Sequence, residues 1–430
     1  MREQLTLLTA LLCLTSATLG EGPPRMRRER PEPAGRGRGQ EYSIKQAVSG
    51  NAQLHTIAFS GLAFLTGDFG AATFLPPGKV CDFFGFQYMR DIDAAGKGHN
   101  PMFLNRVAGN VLHVLSDEQK QRFLDLAEEQ APQLGKLARM RLSLIQAFHL
   151  ARDGCAPAGS AGLNREAVVR YVADLFAYDA QLSLRRAEVM AQVARSLTPE
   201  QKAYLARMRF GDFDTWPALD ERGKLKRPGR GRSRLFSVAY MTYASEFFSW
   251  TAGTIEADTY FCPERHATYF GGFYMKDMPA MGKRDFDIST SVTGDSGREF
   301  LNVLTAEQRR HVTAIPDAQR KALSEIVEVR RAIAAELRRL LDGEAANRDK
   351  VLALGRRYGE LDGEISYACA AAFAEVNRTL TDEQRKALLK LRGLEGYKSA
   401  PYYVYSRPAG DDPALENVEA MFRKPEGDGE

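Results

Sequence analysis

Four times in 430 residues the chain writes nearly the same five letters: LSDEQ at Leu115 to Gln119, LTPEQ at Leu197 to Gln201, LTAEQ at Leu304 to Gln308 and LTDEQ at Leu380 to Gln384. A hydroxyl residue followed three positions later by glutamine is the capping box that starts a helix. Ser116, Thr198, Thr305 and Thr381 are the expected N-caps, each side-chain oxygen accepting the backbone N–H three residues on. Gln119, Gln201, Gln308 and Gln384 are expected to reach back to the cap. Pro199 suits the first helical turn, and the acids after each cap suit the positive end of the helix dipole. Lys120, Lys202, Arg309 and Arg385 hold the position where a hydrophobic staple would need an apolar residue, so the four leucines must bury elsewhere. A chain so constrained is largely helical.

The boxes come in matched pairs. FFGFQYMRD at Phe83 is answered by YFGGFYMKD at Tyr269, an offset of 186 (83 to 269). LHVLSDEQ is answered by LNVLTAEQ at an offset of 189 (115 to 304), and ARSLTPEQ by NRTLTDEQ at 183 (197 to 380). Steady offsets of this kind mark a tandem duplication, with one unit over 41–213 and a second over 235–395. The basic, Gly/Pro-rich stretch 214–234 is the linker between them, and 396–430 reads as an extended C-terminal tail. At the start, residues 1–20 have a signal-peptide layout: Arg2, an apolar run from Leu5 to Leu14, then small residues, too short to span a bilayer. The mature chain is then expected to begin near Thr18 or Glu21. Residues 21–40 are rich in Arg and Pro and read as a disordered linker.

Within each unit the back portion has helical periodicity. Leu134, Leu137, Leu144 and Phe148 share a face, as do Leu323, Ile326, Ile333 and Leu337. On the following helix Val168, Val172, Leu175, Leu182, Val189 and Val193 are answered by Val351, Leu354, Tyr358, Ile365, Ala372 and Val376. One step is imperfect, since the strict counterpart of Val172 is Gly355. The expected fold class is all-α: two tandem helical units, each with a long antiparallel helical hairpin and an aromatic, Gly-rich front segment.

Two LTxxQ boxes bracketing a helical hairpin, behind an export signal, resemble the Spy/CpxP group of periplasmic chaperones and envelope-stress proteins. The resemblance covers about 111–209 and 300–392. It implies a non-enzymatic, chaperone-like periplasmic protein that binds unfolded or partly folded polypeptides on a concave surface. The two units would then imitate the family's dimer within one monomeric chain. Two other readings stay open: an envelope-stress or metal-sensing protein on the same hairpins, and a structural module that holds a partner or ligand with its aromatic segments. Those segments depart from the family, and their candidate surface is Phe83, Phe84, Phe86 and Tyr88 with Tyr269, Phe270, Phe273 and Tyr274.

Catalytic signatures are missing from the sequence. The six histidines are scattered, and no G-x-S-x-G, phosphate loop or dinucleotide fingerprint occurs. No cofactor is expected. Asp91 and Asp93 begin like a calcium loop, but Ala95 and Met102 replace two oxygen donors. Cys262 and His266 have the spacing of half a metal site without a second pair nearby. A net charge of +4 argues against a nucleic-acid binder, and no stretch beyond the signal is long and apolar enough to span a membrane. Cys81, Cys155, Cys262 and Cys369 would survive cleavage, and their pairing is left open among three possibilities.

Charged residues interrupt the apolar stripes at matching places. Arg141 and Arg330 lie on the first helices, Asp179 and Asp362 on the return helices. A hairpin symmetric about its loop pairs Arg141 with Asp179 and Arg330 with Asp362 as partly buried structural ion pairs.

Overall fold

The computed structural model describes residues 54, 57–58, 61–62, 64–66, 101–208, 217, 234–253, 255–260, 296–391, 403–404, 407–408 and 415–424. All of them fall in one compact unit, Gly39–Glu430. Residues 1–20, expected as a signal peptide, residues 21–40, expected as a linker, and Phe83, Phe84, Phe86, Tyr88, Tyr269, Phe270, Phe273, Tyr274, Asp91, Asp93, Cys262 and His266 lie outside the described residues.

The described chain is all-helical apart from one short β pair. Helices are α1 (Pro101–Val114), α2 (Asp117–Arg152), α3 (Arg165–Arg195), α4 (Pro199–Ala206), α5 (Arg234–Ala252), α6 (Ile255–Tyr260), α7 (Ser296–Val303), α8 (Ala306–Thr313), α9 (Ile315–Arg339), α10 (Arg348–Thr379) and α11 (Asp382–Leu391). Strands β1 (Tyr403–Val404) and β2 (Arg407–Pro408) pair antiparallel. The sequence suggests an extended tail, but Glu419–Phe422 forms a 3-10 helix whose Met421 and Phe422 are buried. Earlier in the chain, residues 54, 57–58, 61–62 and 64–66 are also helical.

Local chemistry sets the boundaries. Pro316 has no amide hydrogen to return to the preceding turn, and α8 and α9 are separated at Ala314 where α2 runs on unbroken. Gly154 and Gly343, at φ of 70° and 85°, take the left-handed conformation just past α2 and α9. In both places the next N–H folds back: Cys155 to the Leu150 carbonyl, Glu344 to that of Arg339. Asn164 and Asn347 then cap α3 and α10.

Helices α3 and α10 lie together along most of their length, antiparallel, with α2 against α3 and α9 against α10. Their approach is close enough to admit no side chain on one face of α10. A Cβ at Gly355 would sit 2.4 Å from that of Ala180, one at Gly359 2.4 Å from the Val172 carbonyl oxygen, and one at Gly363 2.9 Å from the Val169 Cα. Helix α5 rests on α1, α2 and α3, with Phe247 edge-on to Phe123 at 5.6 Å. Residues 61–64 reach the other end, where Phe64 lies 6.2 Å from Phe373 and Gly61 abuts the Phe373 ring. The core is one continuous cluster from Ile57 to Phe422.

Candidate functional site

All four capping boxes close. Gln119 and Gln201 each accept from their own cap N–H at 2.9 Å, Gln308 from Thr305 at 2.8 Å and Gln384 from Thr381 at 3.0 Å. The same glutamines then meet in pairs. Gln119 donates to Gln201 Oε1 at 3.1 Å and receives a bond from Gln201 Nε2 at 2.8 Å. Gln308 and Gln384 do likewise at 3.2 and 2.8 Å. Each amide spends its remaining hydrogen on a carbonyl beside the partner's cap: Ser196 for Gln119, Val114 for Gln201, Thr379 for Gln308 and Val303 for Gln384. This clasp accounts for glutamine in place of the glutamate a lone box accepts, because two facing carboxylates would repel and could donate nothing. Each bond adds on the order of 1 kcal/mol, and together they pin two helix starts to one another. Leu115 and Leu304 are buried beneath, as is Leu380, while Leu197 is partly buried.

Other contacts surround the four residues expected to form ion pairs. Tyr171 donates to the Met140 carbonyl at 2.9 Å, and Lys136 lies over the Tyr178 ring. Arg141 follows Met140 on α2, and Asp179 follows Tyr178 on α3. Asp179 has Arg186 at 3.8 Å on its own helix. In the second set Arg330 donates to the Thr259 carbonyl, the Asp258 carbonyl and the Tyr358 hydroxyl at 2.7, 2.8 and 3.0 Å. Tyr358 stands one turn before Asp362, which accepts from Ser366. All four charged residues are buried.

The pattern missed the most buried charge cluster. Arg186 is fully enclosed, with Asp179 on one side, Glu246 of α5 at 3.6 Å on the other, Ser183 accepting from it at 2.9 Å and the Tyr243 ring beneath. Tyr243 donates to Gln130, which donates to the Leu182 carbonyl. One signal was available: by the offset of 183, the counterpart of Arg186 is Cys369. That thiol is buried beside Gln319, and burial, then the Asp362 charge, push its pKa far up, so it stays a neutral packed group. Cys155 is exposed and, like Cys369, free. His149, packed edge-on to Phe64, is held well below its usual pKa by burial and then by Arg152, and is neutral.

Between α3 and α10, Phe176, Asp179, Ser183, Gly355 and Tyr358 line a cavity of about 10 Å³, room for about one water molecule. Among the described residues no group of three His, Cys, Asp or Glu is placed to hold a metal ion. No described helix is long and apolar enough to cross a membrane. Fold and clusters together define an all-helical protein with two glutamine clasps and a buried charged seam. Comparison with protein-family models, curated proteins and solved structures finds no match.

Proposed function

We propose that the chain is an exported, non-enzymatic, chaperone-like protein that holds partly unfolded polypeptide, its two tandem units acting as a covalent dimer. The observation that carries this reading is that one set of contacts is made twice at the offsets of the sequence repeat. The clasps, the Gly154 and Gly343 helix ends and the Asn164 and Asn347 caps all recur. An arginine also bonds to the end of each front helix, Arg152 to the Phe64 carbonyl and Arg338 to the Trp250 carbonyl; the acceptors stand 186 residues apart (64 to 250), but the donors are not counterparts, since the offset of 189 pairs Arg338 with His149.

The front helices support a further element of the reading, an exchange. Helix α5 of the second unit lies over α1 to α3 of the first, and Gly61 and Phe64 touch Phe373 of α10, although Phe64 also packs on His149 of its own unit. Side chains differ in concert across that seam. Where the first unit has Arg186 under Tyr243 and Glu246, the second has Cys369, and the front-helix counterparts of Tyr243 and Glu246 are Ile57 and Ser60. A cation and its partners are present together or replaced together, as covering by the opposite unit requires.

Leu389 is the one exposed large apolar side chain among the described residues, so client contact in this reading falls to the two aromatic segments. The test is suppression of aggregation of a chemically denatured client by the mature chain. Suppression near one client per chain is expected. Serine at Phe83, Phe84, Phe86 and Tyr88 together with Tyr269, Phe270, Phe273 and Tyr274 should abolish it while far-UV circular dichroism stays unchanged. A chain that suppresses nothing in excess and purifies with metal at a defined ratio would contradict the reading and favour the sensor.

A further inference from the structure

The two units differ at the start of their return helices, and the C-terminal segment fills the difference. In the second unit the N-cap amide of Asn347 donates to Glu336 Oε2 at 3.2 Å, and Glu336 also takes the Lys350 ammonium at 2.7 Å. That end closes itself. In the first unit the counterpart of Glu336, at the offset of 189, is Ala147, which offers no acceptor. The repeat offset also falls from 189 to 183 across the loop, so the first unit carries six more residues there. The Asn164 amide donates instead to the Met421 carbonyl, at 2.8 Å.

The segment that brings this carbonyl is short and anchored by its side chains. Met421 is fully buried and Phe422 is 4 % exposed. Leu415 and Val418, which precede the 3-10 helix on either side of Asn417 at φ 62°, are half-buried against the same core. The 3-10 helix sits on α2 and α3. Beside it the Tyr171 phenol is pushed up to about 12 by burial, offset in part by a bond with Ser143 and reinforced by Glu416 of the segment. One backbone acceptor with apolar anchors at fixed spacing is how grooves recognise short peptides. Residues 392–414 separate this segment from α11, so its occupancy draws on the high effective concentration of a tethered ligand.

We propose that the seat formed by Asn164, α2 and α3 is a peptide-binding site held shut by the chain's own residues 415–424. The ligand class it takes is a peptide with a Met-Phe-like apolar pair, further apolar residues where Val418 and Leu415 stand, and acidic residues where Glu416 and Glu419 stand. The seat is distinct from the aromatic segments, and the proposal stands whether or not those bind clients.

The experiment uses the full chain carrying M421D and F422D, with a fluorescein-labelled peptide of residues 413–424 as probe. The peptide is expected to bind the variant one to one and the unaltered chain about tenfold or more weakly, because the tethered segment competes. The Asn164 amide should exchange faster with solvent in the variant and regain protection when peptide is added. Equal binding to both chains, or a helical variant that neither binds at millimolar peptide nor recovers protection, would overturn the proposal. Should the variant fail to fold, a protease site placed within 396–402 of the unaltered chain replaces it. After cleavage, exchange of the bound tail for labelled peptide supports the seat, and a tail that stays without exchanging overturns it.

Discussion

Gly359→Leu is expected to cost about 3 kcal/mol or more and to lower the denaturant midpoint further than any conservative core substitution. The reason is the nature of the obstacle. An added Cβ would lie 2.4 Å from the Val172 carbonyl oxygen and 2.7 Å from the Ala173 Cα, and both are backbone atoms of a helix already bonded along its length. A side-chain neighbour could rotate away; these can move only if α3 and α10 separate. Gly359→Ala sharpens the test, since alanine in a helix interior is intrinsically favoured over glycine by about 1 kcal/mol. A net loss with alanine therefore isolates the crowding. Urea titration of both variants measures the effect, and an alanine variant as stable as the parent would show that the two helices are not in this contact.

Arg186→Met should cost about 3 to 5 kcal/mol, the loss expected when one member of a buried ionic cluster is removed. Asp179 and Glu246 are nearly inaccessible, and the guanidinium between them is within 3.8 Å of both. Exposed pairs such as Arg185 with Glu129 should by contrast matter by about 1 kcal/mol or less. The exchange of front helices makes a stricter forecast. Arg186→Cys with Tyr243→Ile and Glu246→Ser transplants the second unit's set into the first and should recover much of the loss. Thermal unfolding of the single and triple variants decides it, and a triple variant no better than Arg186→Cys alone would contradict the matched seam.

Several of these features were legible in the sequence because they are local. A capping box involves four consecutive residues, and all four boxes form. Helix phase was legible for the same reason, since the apolar stripes on α2, α3, α9 and α10 need only a 3.6-residue period. Contacts between helices were not. The pairing of Gln119 with Gln201 depends on two helix starts meeting across 82 residues of chain, which no local pattern encodes. Gly355 looked like a fault in the stripe of α10, yet it is one of three glycines at the close approach to α3, where an added Cβ would sit 2.4 Å from that of Ala180. The change from Arg186, Tyr243 and Glu246 to Cys369, Ile57 and Ser60 was visible in the repeat, but no local pattern says that Arg186 meets Tyr243 and Glu246.

That each front helix covers the opposite unit is tested most directly by photo-crosslinking from position 247. Phe247 lies against Phe123 of α2, whereas a front helix folded onto its own unit would place it against the corresponding stretch around Val312. With a benzophenone side chain at 247, irradiation of the monomeric chain should join α5 to the peptide that contains Phe123, read by mass spectrometry of the digest. Crosslinks to the peptide around Val312 in place of that product would contradict the account.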